Sequence, residues 1–199
     1  MFGLFKKTEP KEEDLWKHFH GKGNSNDVLT EKAKVLAAVI VDWSRTGALQ
    51  LIEQVEKDAK DKKPSEKFSD IFLEAIILYV HFTDRIAFQL LETEQRDFFI
   101  DVLMAEVIDI LTEAQPTAEK KALFGSIVGD MYNERQGEYS KYKMAAAENE
   151  GLGGTLFWEF GKKVSSLIGF EQDAITTFQV QVCIVGGLKF LQLPELFEK

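Results

Sequence analysis

The chain has 199 residues, 45% of them hydrophobic, enough to bury a real core in one domain or two small ones. Four prolines, sixteen phenylalanines and long stretches without Gly or Pro favour long helices over many short strands, so an all-α fold is expected. A net charge of −9 argues against nucleic acid as a partner, and one cysteine, Cys183 in VQVCIVGG, argues against a disulfide framework and for a buried thiol in a reducing, cytoplasmic setting.

From the N-terminus, MFGLFKK has its charges after a short apolar patch, the reverse of a secretory signal. Phe2, Leu4 and Phe5 allow at most a weak contact with a membrane surface. No uninterrupted apolar run of eighteen residues occurs, so stable membrane insertion is not expected. Lys11–His20 reads as a short helix and 21–27 as a loop, setting an N-terminal segment, 1–27, apart from a helical bundle domain over 28–193. Thr30 is the expected cap of a helix to about Lys57, whose apolar side runs through Leu29, Ala33, Leu36, Ile40, Trp43, Gly47 and Leu51. At Gly47 that helix is expected either to kink or to admit a close neighbour.

After a charged linker, Pro64 and Ser65 open a helix to Glu92, apolar on most faces and therefore central, with Ser65 as its cap. Thr93 is the expected cap of a helix to Ala114, although nothing in the composition forbids one continuous helix through 92. Pro116 and Thr117 then precede a long helix over 118–148, whose stripe Phe124, Met131, Arg135, Glu138 and Tyr142 contains a charged pair where apolar groups belong. The loop around Gly151–Gly154 has neither a preceding strand nor the Lys-Ser/Thr of a phosphate loop and reads as a helix terminator. A helix through Leu156 to Ile168 stops at Gly169. In 170–193 the alternation FQVQVCIV is a strand signal, but no second strand exists to pair with it, so helix is preferred, with Gly186 and Gly187 marking a break or a close contact. The expected architecture is a single bundle of about six or seven helices around the central helix over 65–92.

That helix carries the unusual chemistry. At about 100° per residue, Asp70, Glu74, His81, Asp84 and Arg85 share one side. Facing solvent, such a stripe merely keeps the helix soluble. Facing the 118–148 helix, it forms a polar pocket with Arg135, Glu138, Tyr139 and Tyr142, in which buried charges must pair. The expected pairs are Arg85 with Glu138 and Asp84 with Arg135, with His81 between a carboxylate and a tyrosine.

No metal site is expected, since two Glu-x-x-His units are missing and His18 and His20 point apart. No cofactor is expected either, a haem on His81 being the nearest alternative. Acid–base catalysis by His81 positioned by Asp84 lacks a nucleophile to serve. The functional expectation is a protein that binds another protein or itself, drawing on surplus aromatic residues. Small-molecule binding around His81, Asp84, Arg85, Arg135 and Glu138 is the alternative, to be favoured if a concave pocket gathers these groups.

Overall fold

The computed structural model describes Trp16 and residues 23–58, 63–113, 115–146, 151–171 and 173–198, and the expected Lys11–His20 helix otherwise lies outside these. The described residues form seven α-helices and no strand: α1 (Asn26–Asp58), α2 (Phe68–Leu90), α3 (Thr93–Thr112), α4 (Ala118–Tyr139), α5 (Leu156–Leu167), α6 (Ala174–Cys183) and α7 (Leu193–Glu198). A 3-10 turn, Pro64–Lys67, leads into α2, and a second 3-10 segment, Val185–Leu191, joins α6 to α7.

Several helix ends differ from the sequence expectation. Helix α1 starts at Asn26, and Thr30 sits inside it, its hydroxyl donating to the Asn26 carbonyl at 2.8 Å instead of capping. Pro64 tightens the chain into the 3-10 turn, so α2 begins at Phe68 with no side-chain cap from Ser65. Leu91 has an extended backbone (φ −117°, ψ 151°), which separates α2 from α3 and rules out one continuous helix; Thr93 is the first residue of α3 and does not cap it. Thr117 does cap α4, accepting from the Lys120 amide at 3.3 Å. Helix α4 ends at Tyr139, short of the expected 148. Beyond it the chain turns, and the Lys143 amide donates to the Gly154 carbonyl at 3.1 Å while the Leu156 amide donates to the Lys143 carbonyl at 2.7 Å.

Helix α5 ends two residues before Gly169, where φ is 79°. In the last segment the alternating FQVQVCIV is helical, because no strand among the described residues offers its backbone a partner.

The core is one continuous cluster. Helix α2 buries Ile71, Ala75, Ile76, Ile77, Leu78, Tyr79, Val80 and Ala87 and touches α1, α3, α4, α5 and α7, as a central helix should. Full burial of one such Leu or Ile contributes about 1.5–3 kcal/mol. Helix α1 shares the centre, packing along α3 and against α2 and α6. At Gly47 a neighbour does approach: a Cβ there would lie 2.7 Å from the Cys183 carbonyl oxygen. Gly187 does the same for Tyr79, whose hydroxyl would be 2.2 Å from an added Cβ and donates to the Ile184 carbonyl at 2.6 Å.

Two residues of the 1–27 segment contact this core. Trp16 is buried and its indole donates to the Leu191 carbonyl at 2.9 Å, and the Asn24 amide reaches the Phe197 carbonyl at 3.3 Å. Two stretches, Asn26–Lys57 and Ala174–Glu198, are long and apolar enough to cross a membrane by mean hydropathy (1.3 and 1.4), a looser criterion than an uninterrupted run. In each, 44% of the apolar window is buried within the fold, and core helices have the same composition.

Candidate functional site

The stripe on α2 is divided. Asp70 is exposed, whereas Glu74, His81 and Asp84 are buried and Arg85 is half-buried, so the solvent-facing reading holds at the first turn alone. The pairing differs from the expected one throughout. Glu74, not Asp84, receives Arg135: Nε and Nη2 both lie 2.8 Å from Oε1. The Tyr139 hydroxyl donates to the other oxygen, Oε2, at 2.9 Å. Arg135 further contacts Glu134 at 2.6 Å and Glu138 at 3.5 Å. Hydrogen bonding to Glu74 raises the Arg135 guanidinium above its already high range, and burial, then the Glu74 charge, raises the Tyr139 phenol. Both side chains therefore keep their protons, and the cluster is a fixed ionic network.

Glu138 does not meet Arg85; its carboxylate takes Lys163 of α5 at 2.6 Å. Because α4 stops at Tyr139, Arg85 meets backbone instead. Nη1 donates to the Tyr142 carbonyl at 3.1 Å and Nη2 to the Ser140 carbonyl at 3.4 Å. Ser140 is the C-cap of α4 and Tyr142 lies in the turn beyond it, where carbonyls lack intrahelical partners, so the guanidinium satisfies acceptors left free by the end of the helix.

Asp84 pairs across the α2–α3 hairpin with Arg96, Nε to Oδ1 at 2.7 Å and Nη2 to Oδ2 at 2.9 Å. This bidentate fork raises the Arg96 pKa. The same guanidinium lies 5.4 Å from the centroid of the exposed Phe88 ring and 3.4 Å from Asp97.

His81 takes Gln136 rather than a carboxylate. Its Nδ1 hydrogen-bonds Gln136 Oε1, while the Gln136 amide nitrogen donates to the Tyr132 hydroxyl. Since an amide oxygen can only accept, Nδ1 carries the proton and Nε2 is left as an acceptor. That Nε2 is enclosed and has no hydrogen-bond partner, and the ring meets Tyr139 edge-on at 5.6 Å. Burial is the main influence lowering the His81 pKa, opposed by the Gln136 bond and by Asp84 and reinforced by Arg85. Burial likewise pushes the Tyr132 phenol up to about 12. Asp84 spends both oxygens on Arg96, so the His81–Asp84 acid–base pair is not formed.

Along one edge these groups open onto a cleft of about 950 Å³ between α2, α3 and the end of α4. His81, Asp84, Arg85, Arg96, Gln136 and Tyr142 line it, together with Ile86, Phe88, Ile100 and Met144. Glu74, Arg135, Glu138 and Tyr139 are not in its wall; they form the closed network behind it. No protein-family model matches this chain, and no curated protein or solved structure resembles it significantly. Function therefore rests on the geometry.

Arg96, Gln136 and Tyr132 are the site residues that sequence reasoning missed as ligands. Arg96 was not marked by equal spacing from the turn, since Asp84 lies seven residues before Leu91 and Arg96 four after Glu92. No signal marked Gln136. The inward edge of α4 runs through Val128, Tyr132, Arg135 and Tyr139, keeping Arg135 of the expected stripe but with Tyr132 in place of Met131 and Tyr139 in place of Glu138.

Proposed function

We propose that this chain is a small-molecule-binding protein whose site is the cleft between α2, α3 and the end of α4. One observation carries the reading: a cleft of about 950 Å³ has, in its own wall, a bidentate ion pair, an arginine with no carboxylate partner among the described residues, and a hydrogen-bonded His81–Gln136–Tyr132 chain. That volume falls within the range of ordinary ligand sites, and a few fixed polar groups among apolar walls are how such sites orient what they bind. Charges buried in a wall cost desolvation unless they are paired, so the Asp84–Arg96 fork is prearranged to present the remaining guanidinium donors without refolding. No catalytic step is assigned, because His81 Nδ1 is taken by Gln136 and no serine or cysteine hydrogen-bonds the ring among the described residues.

The test combines native mass spectrometry of protein purified without denaturation with thermal-shift screening of a panel of polar metabolites. Stabilisation by at least one compound, reduced at least about tenfold in affinity by Arg96→Gln, is expected. No hit in this panel or among amphipathic acids, or hits indifferent to both Arg96→Gln and Arg85→Gln, would sink the reading.

Self-association is favoured by a separate observation. Helix α6 carries no charged residue, and its Ile175, Phe178 and Val182, at helical spacing, are 71%, 63% and 57% exposed. Such an apolar stripe suits a second copy or another protein, in line with the expectation from the aromatic content. A concentration-dependent shift in sedimentation that Phe178→Asp abolishes would support it; a monomer at all concentrations would remove the self-association.

A further inference from the structure

We infer that the ligand of the cleft is an amphipathic acid, with its anionic group on Arg85 and its apolar chain laid across Ile86 into a second cleft. The inference rests on the reading of the α2–α3–α4 cleft as a binding site and specifies what that site takes.

Arg85 supplies the charge. A guanidinium has five N–H donors, and Arg85 gives one each to the Ser140 and Tyr142 carbonyls. The other arginines around the site are committed to carboxylates: Arg96 to Asp84 and Asp97, Arg135 to Glu74, Glu134 and Glu138. Arg85 has no carboxylate partner among the described residues and stands in the cleft wall with its remaining donors unassigned. A carboxylate or similar oxyanion is the complement of a planar fork held in this way. The acidic residues of the same cleft that lie outside the fork, Asp97 and Asp101, belong to α3, whereas Arg85 is fastened to the end of α4.

The neighbouring cleft supplies the apolar half. It measures about 600 Å³ and is walled by Phe82, Phe157, Val185, Leu188 and Leu193, with Lys189 and Glu195 as its charged lining residues. Ile86 lines both clefts, so the two spaces share one wall residue, and the exposed lining of each is mixed, somewhat more apolar than polar. Helix periodicity explains the arrangement: Phe82 and Ile86 are one turn apart on α2, and Arg85 and Gln89 form the next row beside them. The chain of a ligand with its head group at Arg85 would cross Ile86 to reach the second cleft. Each methylene buried along it adds about fourfold in affinity.

Isothermal titration of the intact protein with decanoate, butyrate, decanol and decyltrimethylammonium, all below their micellar concentrations, tests this. Decanoate should bind at least about a hundredfold more tightly than butyrate and more tightly than the cationic amphiphile. Arg85→Gln should weaken decanoate by about tenfold or more and leave decanol unchanged. Val185→Glu, which places a carboxylate in the apolar cleft, should weaken decanoate and decanol alike; Phe157→Ser replaces it if circular dichroism shows that Val185→Glu does not fold. Decanoate binding indifferent to both variants is detergent-like adsorption and overturns the inference, as does preference for the cationic amphiphile. A polar metabolite bound through Arg96 by a protein that ignores decanoate overturns this inference and leaves the cleft reading standing. Silence towards both classes overturns both.

Discussion

Two ion pairs hang from α2 about three helical turns apart, and their surroundings make them different objects. Glu74 and Arg135 have side chains 3% and 15% exposed, with Tyr139 closing the second carboxylate oxygen. Asp84 and Arg96 are 12% and 27% exposed and stand in the wall of a cleft. The first pair has every strong acceptor filled and nothing to offer a ligand, so its role is to fix α4 against α2. The second pair is equally well formed but retains water access and free donors. Similar chemistry is thus sealed between helices in one place and, on the proposed reading, open to a ligand in the other, and exposure makes the difference.

The largest effect that sharpens this contrast should come from Arg135→Ala. It strands the Glu74 carboxylate beside a single hydroxyl, and urea denaturation should show a loss of about 3–5 kcal/mol. Glu74→Ala should cost less, because Arg135 keeps Glu134 and Glu138. Equal losses for the two would break the claim that the carboxylate, and not the guanidinium, is the trapped charge.

Tyr139→Phe comes next. Removing the hydroxyl leaves Oε2 of Glu74 without its donor, at a cost of about 1–3 kcal/mol by the same measurement. A neutral result would mean that water already reaches that oxygen.

On the open side, Arg96→Gln should cost about 1 kcal/mol, since Asp84 keeps partial solvation, while ligand affinity falls by far more than stability does. A stability loss as large as that of Arg135→Ala would put both pairs in one class.

The smallest effect concerns His81. Burial disfavours its charged form, so the folded protein binds fewer protons at this ring than the unfolded chain does. The resulting stability is present above the unfolded value of about 6.5 and is lost as the pH falls from there toward the lower folded pKa. His81→Gln should change stability by no more than about 1 kcal/mol near neutral pH and flatten the fall in melting temperature between about pH 6.5 and 5.5. An unchanged slope would assign that fall to other groups.

Much of the helical architecture was legible in the sequence. Periodicity marked α1, α2 and α5, Pro116–Thr117 marked the start of α4, and the lack of a second strand decided the C-terminal segment for helix. These are local signals, set by side-chain spacing, proline geometry and backbone hydrogen-bond demand, and no neighbour is needed to read them. Helix ends were less legible: α4 stops nine residues before the expected Glu148, where turn geometry and the Lys143–Gly154 pairing replace the helix.

The stripe of Glu74, His81, Asp84 and Arg85 was visible as a row of polar groups on an apolar helix, but its partners were not. Partner choice depends on how α4 is rotated about its axis: Arg135 and Tyr139 do face the stripe as expected, but both meet Glu74, Gln136 and Tyr132 join them at His81, and Glu138 turns to Lys163. Rotation is settled by packing α4 against α2 and α3, a long-range fit to which spacing within either helix is blind. The sequence by itself determined the all-α class, the central helix and the polar row upon it. The tertiary structure alone decided which charges are sealed, which line the cleft, and that Arg85 meets the end of a helix instead of a carboxylate, because burial and pairing are properties of surfaces brought together by folding.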